Sequence, residues 1–189
     1  QTKNGSLLKG VLRFLGLAAL CSVGLSALAE VREAGTLDEL TSAISASADG
    51  DTVKLTAAIE GAVTVDKAIT LDFNGNAVTG QIDVKSAGVV LADATTAGGV
   101  NGNVNLKAGA EVTVRGGRYV GANKNYSGVF NVKAATLTIE EGTEVVAGQS
   151  GNWDWGVYLT SSSTTRAKLV VNGGHFSNAS HYHGDMIST

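Results

Sequence analysis

Aromatic and polar side chains recur just before three glycines in the C-terminal half of the sequence. Gly128, Gly156 and Gly184 are spaced 28 residues apart. The residues before them align as three triplets: Asn125-Tyr126-Ser127, Trp153-Asp154-Trp155 and His181-Tyr182-His183. Aromatic faces pack on the C–H faces of sugars, while amides and carboxylates take the hydroxyls. The spacing predicts a carbohydrate-binding edge formed by Tyr126, Trp153, Asp154, Trp155 and Tyr182. In the alternative interpretation, one or two of these rings only cover the core.

Three lysines form a second pattern. Lys85, Lys107 and Lys133 each directly follow a short strand of alternating apolar residues. Stacked lysines repel one another, and an acidic polymer such as a polyuronate would relieve the repulsion. The alternative is that the three side chains splay into solvent.

The three histidines form a third pattern. His181 and His183 would share one face of a strand, and His175 precedes them. Two imidazoles on one face suit zinc only when a third ligand and supporting hydrogen bonds are present. Because no third ligand is evident, we predict no metal and no cofactor.

The sequence contains no convincing catalytic constellation. A lyase would need clustered outward carboxylates for calcium and an Arg or Lys base, and a hydrolase would need paired carboxylates. Asp83 with Lys85, Lys107 and Arg115 comes nearest, but Asn105 stands where a second carboxylate should lie. No catalytic residue is therefore predicted.

The elements that must position these residues are short strands that repeat. One series ends at Leu55, Leu71, Leu91, Val114, Ile139 and Val171, and a second ends at Val65, Val84, Leu106 and Val132. A third, weaker series ends in glycine, at residues 80, 102, 121 and 148. Three strands per turn, repeated every twenty or so residues, are typical of a solenoid. An antiparallel sandwich is the alternative, but hairpin dipeptides are few.

Alternation along each strand predicts which residues face the core. Apolar residues at alternate positions point inwards, and the threonine, aspartate or asparagine between them points out. Ile69 and Leu71 enclose Thr70, and Ile82 and Val84 enclose Asp83. The core is therefore predicted to be a stack of Val, Ile and Leu from about six coils.

One amphipathic helix precedes the strands. Thr36 and Glu39 match a capping box, and Leu37, Leu40 and Ile44 form one apolar stripe. We predict that this helix covers the first coil, because an uncovered solenoid end exposes apolar side chains and unpaired backbone groups.

Residues 1–29 differ in composition from the rest. Lysines and an arginine precede an apolar run at 14–28, and Ala27 and Ala29 fit a small-residue cleavage site. The run is shorter than the roughly twenty residues of a membrane span. The sequence thus predicts a signal peptide at 1–29, an N-terminal cap at 30–48 and β-helix coils at 49–189, truncated at the C-terminus. The only cysteine, Cys21, lies in the predicted leader.

The overall charge argues against nucleic acid as a partner. The chain has a net charge of -3, and only 16% of its residues are charged. It therefore lacks the basic field that nucleic-acid binding requires.

The entry to the coils resembles a known family. The segments LDEL at 37–40, ADGDTVKL at 48–55 and KAITLDFNG at 67–75 resemble the start of pectin-lyase-like β-helix proteins. The resemblance covers essentially the whole predicted mature chain. It implies an all-β, right-handed parallel β-helix solenoid with an N-terminal amphipathic capping helix. The family includes polysaccharide lyases and hydrolases as well as adhesins and other surface proteins, so it does not fix an activity.

The most consistent functional expectation is a binding module. We expect a secreted or cell-surface protein that acts as an adhesive or carbohydrate-binding module, with glycans or cell-surface polysaccharide as partners and no stable membrane span in the mature chain. The alternative is a fragment of a polysaccharide lyase or glycoside hydrolase of the same fold.

Overall fold

The computed structural model describes residues 28–121, 127–147, 154–178 and 187–188. Within them lie one helix and sixteen strands. In chain order these are β1 Val31–Ala34, α1 Leu37–Ala46, β2 Thr52–Leu55, β3 Ile59–Glu60, β4 Val63–Val65, β5 Thr70–Asp72, β6 Ala77–Val84, β7 Val89–Asp93, β8 Gly99–Leu106, β9 Glu111–Val120, β10 Ser127–Lys133, β11 Thr136–Ile139, β12 Thr143–Ala147, β13 Asp154–Thr160, β14 Lys168–Val171, β15 His175–Asn178 and β16 Ile187–Ser188. No helix in these ranges is long and apolar enough to cross a membrane.

The strands stack in three columns, numbered in the order in which the chain visits them. Column 1 holds β1, β2, β5, β7, the first half of β9, β11 and β14. Column 2 holds β3, the first halves of β6 and β8, the second half of β9, β12 and β15. Column 3 holds β4, the second halves of β6 and β8, β10, β13 and β16. Neighbouring strands within each column run parallel, and the chain makes about five turns, so the predicted parallel β-helix is confirmed.

The register within the columns tests the predicted repeat. In column 1 it is confirmed through Leu71, Leu91, Val114, Ile139 and Val171. The first step is wrong, because Leu71 pairs with Val53 rather than with Leu55. Both residues face inwards, and a shift of two residues leaves the apolar pattern unchanged. In column 3 the register is confirmed through Val65, Val84, Leu106 and Val132.

Glycines allow the sharp passage from column 2 to column 3. Gly80 pairs with Gly102 on the next turn. A Cβ on Gly102 would overlap the carbonyl oxygen of Gly80, and a Cβ on Gly80 would overlap that of Gly61. Gly80 also has φ of 148°, in a region that residues with side chains rarely adopt. Close backbone approach therefore explains Gly80 and Gly102 of the predicted glycine series.

The last step of the glycine series is wrong by one residue. The predicted alignment puts Val146 opposite Tyr119, but Tyr119 pairs with Val145.

Tyr119 is fully buried between Phe73 and Phe130, with ring centroids 6.1 and 5.0 Å away. Its hydroxyl has no hydrogen-bond partner among the described residues. Burial, and then the charge of Asp93, raise the pKa of Tyr119 above its usual value.

Helix α1 forms as predicted. The Thr36 hydroxyl accepts a hydrogen bond from the Glu39 N–H at 3.2 Å, and a Glu39 carboxylate oxygen accepts from the Gly35 N–H at 2.9 Å. Leu40 and Ile44 are buried, and the helix packs against β1, β2 and β4. The helix therefore covers the first turn of the solenoid.

Strand β1 is a part of the fold that the sequence did not predict. Val31–Ala34 pairs in parallel with Thr52–Leu55, so the predicted cap contains a strand as well as the helix. Its alternation of buried and exposed residues is weak, because only Ala34 among the four residues is buried. One buried residue in four gives no strand period that a sequence pattern could show.

Candidate functional site

The outward side of column 3 carries a line of polar side chains in register. Asp83 pairs with Asn105, Asn105 with Asn131, and Asn131 with Tyr158. We call these four residues the ladder face. The Asn105 amide donates to a carboxylate oxygen of Asp83 at 2.9 Å, and the Asn131 amide donates to the Asn105 side-chain oxygen at 2.9 Å. The amides therefore form a directional chain of hydrogen bonds that ends on a carboxylate.

Asp83 accepts two further donors. The Gln81 amide donates at 2.7 Å, and the Lys107 ammonium lies 2.9 Å from the second carboxylate oxygen. Burial alone would raise the pKa of Asp83, but hydrogen bonds from Asn105, Lys107 and Gln81 outweigh it and hold that pKa below its ordinary value. Asp83 is therefore an ionised anchor of the ladder face at neutral pH.

The lysine pattern is only partly brought together. Lys133 aligns with Thr160 of the next turn, and the register of Leu106 with Val132 places Lys107 beside Lys133. Lys85 and Lys133 are exposed, whereas Lys107 is held by Asp83. The column therefore carries less unbalanced positive charge than the sequence indicated.

Arg115 lies apart from Asp83. It belongs to the column 1 half of β9, where its guanidinium lies 2.8 Å from the carboxylate of Glu140. The ladder face thus has Lys107, but not Arg115, as the cation beside its carboxylate.

The aromatic part of the site is a stacked pair. The rings of Trp155 and Tyr158 have centroids 4.8 Å apart and planes inclined by 18°. Both side chains are half-buried. Trp155 and Tyr158 are three positions apart, so in a regular strand their side chains would point to opposite faces of the sheet. The pairing of β10 with β13 is interrupted between them, at Val129 and Gly156. The two rings stack across this interruption, and Tyr158 pairs with Asn131 of the previous turn.

The register also corrects the predicted glycine spacing. Gly128 pairs with Trp155, not with Gly156, so the repeat between β10 and β13 is 27 residues rather than 28. The glycines were equated by residue type, whereas the ladder is set by inward Phe130 and Val157. The triplet alignment is therefore off by one residue: it puts Ser127 opposite Trp155, whereas Ser127 pairs with Asp154.

The predicted site residues have different outcomes. Trp155 lies in the stacked pair. The backbone of Asp154 is in β13 and pairs with Ser127, and its side chain is outside the description. Tyr126, Trp153 and Tyr182 lie outside the described residues. Their membership of a binding edge stays a prediction.

Tyr158 was missed by the sequence reasoning. It occupies the position on β13 that Asn131 occupies on β10 and Asn105 occupies on β8. Extending the outward series of Asp83 and Asn105 by two more turns would have found both Asn131 and Tyr158. The alternation of inward and outward residues along column 3 therefore identifies Tyr158, whereas the aromatic triplets do not.

The histidines are only partly described. His175 is exposed in β15 and pairs with Glu144, whose carboxylate lies 3.0 Å from Arg118. A shallow depression of about 410 Å3 at this corner is lined by His175, Glu141 and Glu144 among others. His181 and His183 are outside the described residues. Among the residues that are described, no group of three His, Cys, Asp or Glu side chains could hold a metal ion.

Comparison with protein-family models, curated proteins and solved structures found no match to this chain. The resemblance to pectin-lyase-like proteins therefore has no support at the level of a family. The structure shows the coarser feature, a parallel β-solenoid entered through one helix.

Proposed function

We propose that this chain is a secreted or cell-surface β-helix protein that binds carbohydrate through the ladder face and the Trp155–Tyr158 pair. The observation that carries the proposal is the stacked pair of half-buried rings, placed in register with a chain of hydrogen-bonded amides. Sugars are recognised by this combination of aromatic faces and fixed polar groups.

The solenoid suits a linear polymer because its turns repeat. Successive rungs of a parallel sheet lie about 4.8 Å apart, so a chain lying along the rod axis meets a polar group at each rung. Hydrogen bonds fix the orientation of the Asn105 and Asn131 amides before any ligand arrives. Pre-oriented groups lose little conformational entropy on binding.

Substitution of the two rings tests the proposal. We expect Trp155→Ala and Tyr158→Ala each to weaken retention on a glycan array by about tenfold, which corresponds to roughly 1.4 kcal/mol. The β-rich circular dichroism should stay unchanged. Arg115→Ala is the matched control, because Arg115 is an exposed residue of column 1.

Three outcomes would count against the proposal. Retention that survives in a folded Trp155/Tyr158 double variant would contradict it. Loss of the β-rich spectrum would show that the rings support the core. Release of reducing or unsaturated ends from an acidic polysaccharide, lost in Asp83→Asn, would instead support the alternative of a fragment of a polysaccharide lyase or glycoside hydrolase.

A further inference from the structure

Among the residues that the structure describes, Glu30 is the first that hydrogen bonds tie to the solenoid. Its backbone nitrogen lies 2.8 Å from a carboxylate oxygen of Asp51, and its carbonyl oxygen accepts from the Thr52 N–H at 2.8 Å. The two residues before it are exposed, and Leu28 is 93% exposed. In the described part of the chain, these hydrogen bonds therefore start just after the Ala29–Glu30 peptide bond, which is also the bond that the small residues Ala27 and Ala29 mark as a cleavage site.

Asp51 is built into the fold as an acceptor. It is only 6% exposed, and its second carboxylate oxygen accepts from the Ala48 N–H at 2.8 Å. The hydrogen bonds from Glu30 and Ala48, with smaller contributions from the charges of Arg32 and Lys67, hold the pKa of Asp51 below its ordinary value. A carboxylate is thus fixed at hydrogen-bond distance from one particular backbone nitrogen.

We propose that Asp51 is the receptor for the α-ammonium group that cleavage after Ala29 creates on Glu30. The inference rests on the proposed export of the protein. An export-coupled peptidase would add water across the Ala29–Glu30 bond, so that Ala29 leaves as a carboxylate and the Glu30 nitrogen becomes an ammonium. The neutral N–H donor at 2.8 Å from the Asp51 carboxylate then becomes a cation, so the attraction of an ion pair is added to the hydrogen bond. Processing would therefore strengthen the N-terminal end of the solenoid.

This ion pair gives the processed protein a defined pH dependence. An α-amino group has an ordinary pKa of about 7.7–8.0, and a neighbouring carboxylate raises it. The added stability is therefore complete below about pH 7.7 and disappears as pH rises through the raised pKa. The other charged groups near the pair are Arg32, which also binds the Glu30 carboxylate at 2.6 Å, and Lys67, whose ammonium donates to the carbonyls of Ser45 and Ser47.

Two cleaved forms of the full chain test the proposal. A protease recognition sequence that ends at residue 29 leaves Glu30 as the first residue, and one that ends at residue 28 leaves Ala29 in front of it. The two forms differ only by Ala29 and carry the same charge, but only the first places the ammonium against Asp51. We expect its midpoint of thermal unfolding to be higher by several degrees at pH 6 to 7, and the difference to vanish above about pH 10.

The outcomes separate this inference from the proposed export. Equal midpoints at pH 6 to 7, or a difference that persists at high pH, would overturn the Asp51 receptor. N-terminal sequencing of the chain recovered from an exporting bacterial host tests the processing itself. Glu30 as the first residue supports it, whereas any other start or an uncleaved chain contradicts the cleavage after Ala29.

Discussion

The two ends of the described solenoid differ in how their core residues are covered. At the N-terminal end, α1 packs against β1, β2 and β4 and buries Leu40 and Ile44. At the other end, Val171 of β14 is 46% exposed and Ile187 of β16 is 48% exposed. Their partners one turn earlier, Ile139 and Val157, are fully buried.

The contrast shows that burial in this fold depends on the neighbouring layer. Val171 and Ile187 continue the inward columns of Ile139 and Val157, so their residue types and register are those of core positions. What differs is the next turn: β11 and β13 are each followed by another strand in their column, whereas no described strand follows β14 or β16. A parallel solenoid buries each turn against its neighbours, and an end turn stays exposed until another element covers it.

Placing a charge under the helix should have the largest effect. We expect Leu40→Asp to destabilise the fold by more than about 4 kcal/mol, because it buries an unpaired carboxylate at a fully buried position. Light scattering should then detect aggregation through the uncovered first turn. Ser42→Asp is the control, since Ser42 is exposed on the same helix. A monodisperse, fully folded Leu40→Asp variant would show that the helix is not needed as a cover.

Shortening the paired leucine side chains of two adjacent turns should lower the free energy of unfolding by different amounts. Leu137 and Leu169 are paired in column 1, but Leu137 is fully buried and Leu169 only partly. We expect Leu137→Ala to cost about 2–5 kcal/mol and Leu169→Ala less than half as much. Denaturant unfolding of the two variants measures the difference. Equal losses would mean that β14 is covered in solution.

Acid should produce the smallest effect, and at the N-terminal end it should act on α1 through Glu39. A hydrogen bond from the Gly35 N–H, and then one from Thr36, lower the pKa of Glu39 from 4.5. The stability that this carboxylate contributes is therefore present above pH 4.5 and is lost as pH falls through its lower folded-state pKa. We expect hydrogen exchange of α1 and β1 to accelerate in that range more than exchange of β14 and β15, whose residues include no carboxylate.

Glu39→Gln should remove the part of this acid response that Glu39 contributes, whereas Asp51, whose pKa is also lowered, keeps its own part. Asp38→Asn is the matched control, because Asp38 lies in the same helical turn. An acid response that is equally strong in the Glu39→Gln variant would show that another group at this end is responsible.

Particular residues show where sequence reasoning succeeded and where it stopped. The alternation of Val, Ile and Leu predicted the columns because a period of two is a local property of a strand. It could not choose between Val53 and Leu55 as the partner of Leu71, since both point inwards. For the site, Trp155 was identified by residue type, whereas Tyr158 and Asn131 required the register between turns.

The sequence by itself determined the strand pattern, the glycine positions at the tight corners and the capping helix, because each depends on neighbouring residues in the chain. The tertiary structure decided the register between turns, the convergence of Asn105 and Lys107 on Asp83, and the stacking of Trp155 on Tyr158. Asn105 and Lys107 lie more than twenty residues from Asp83, so only the rise of the solenoid by one rung per turn brings them into contact. The interruption of pairing at Gly156, between the two stacked rings, likewise depends on how β13 packs against β10.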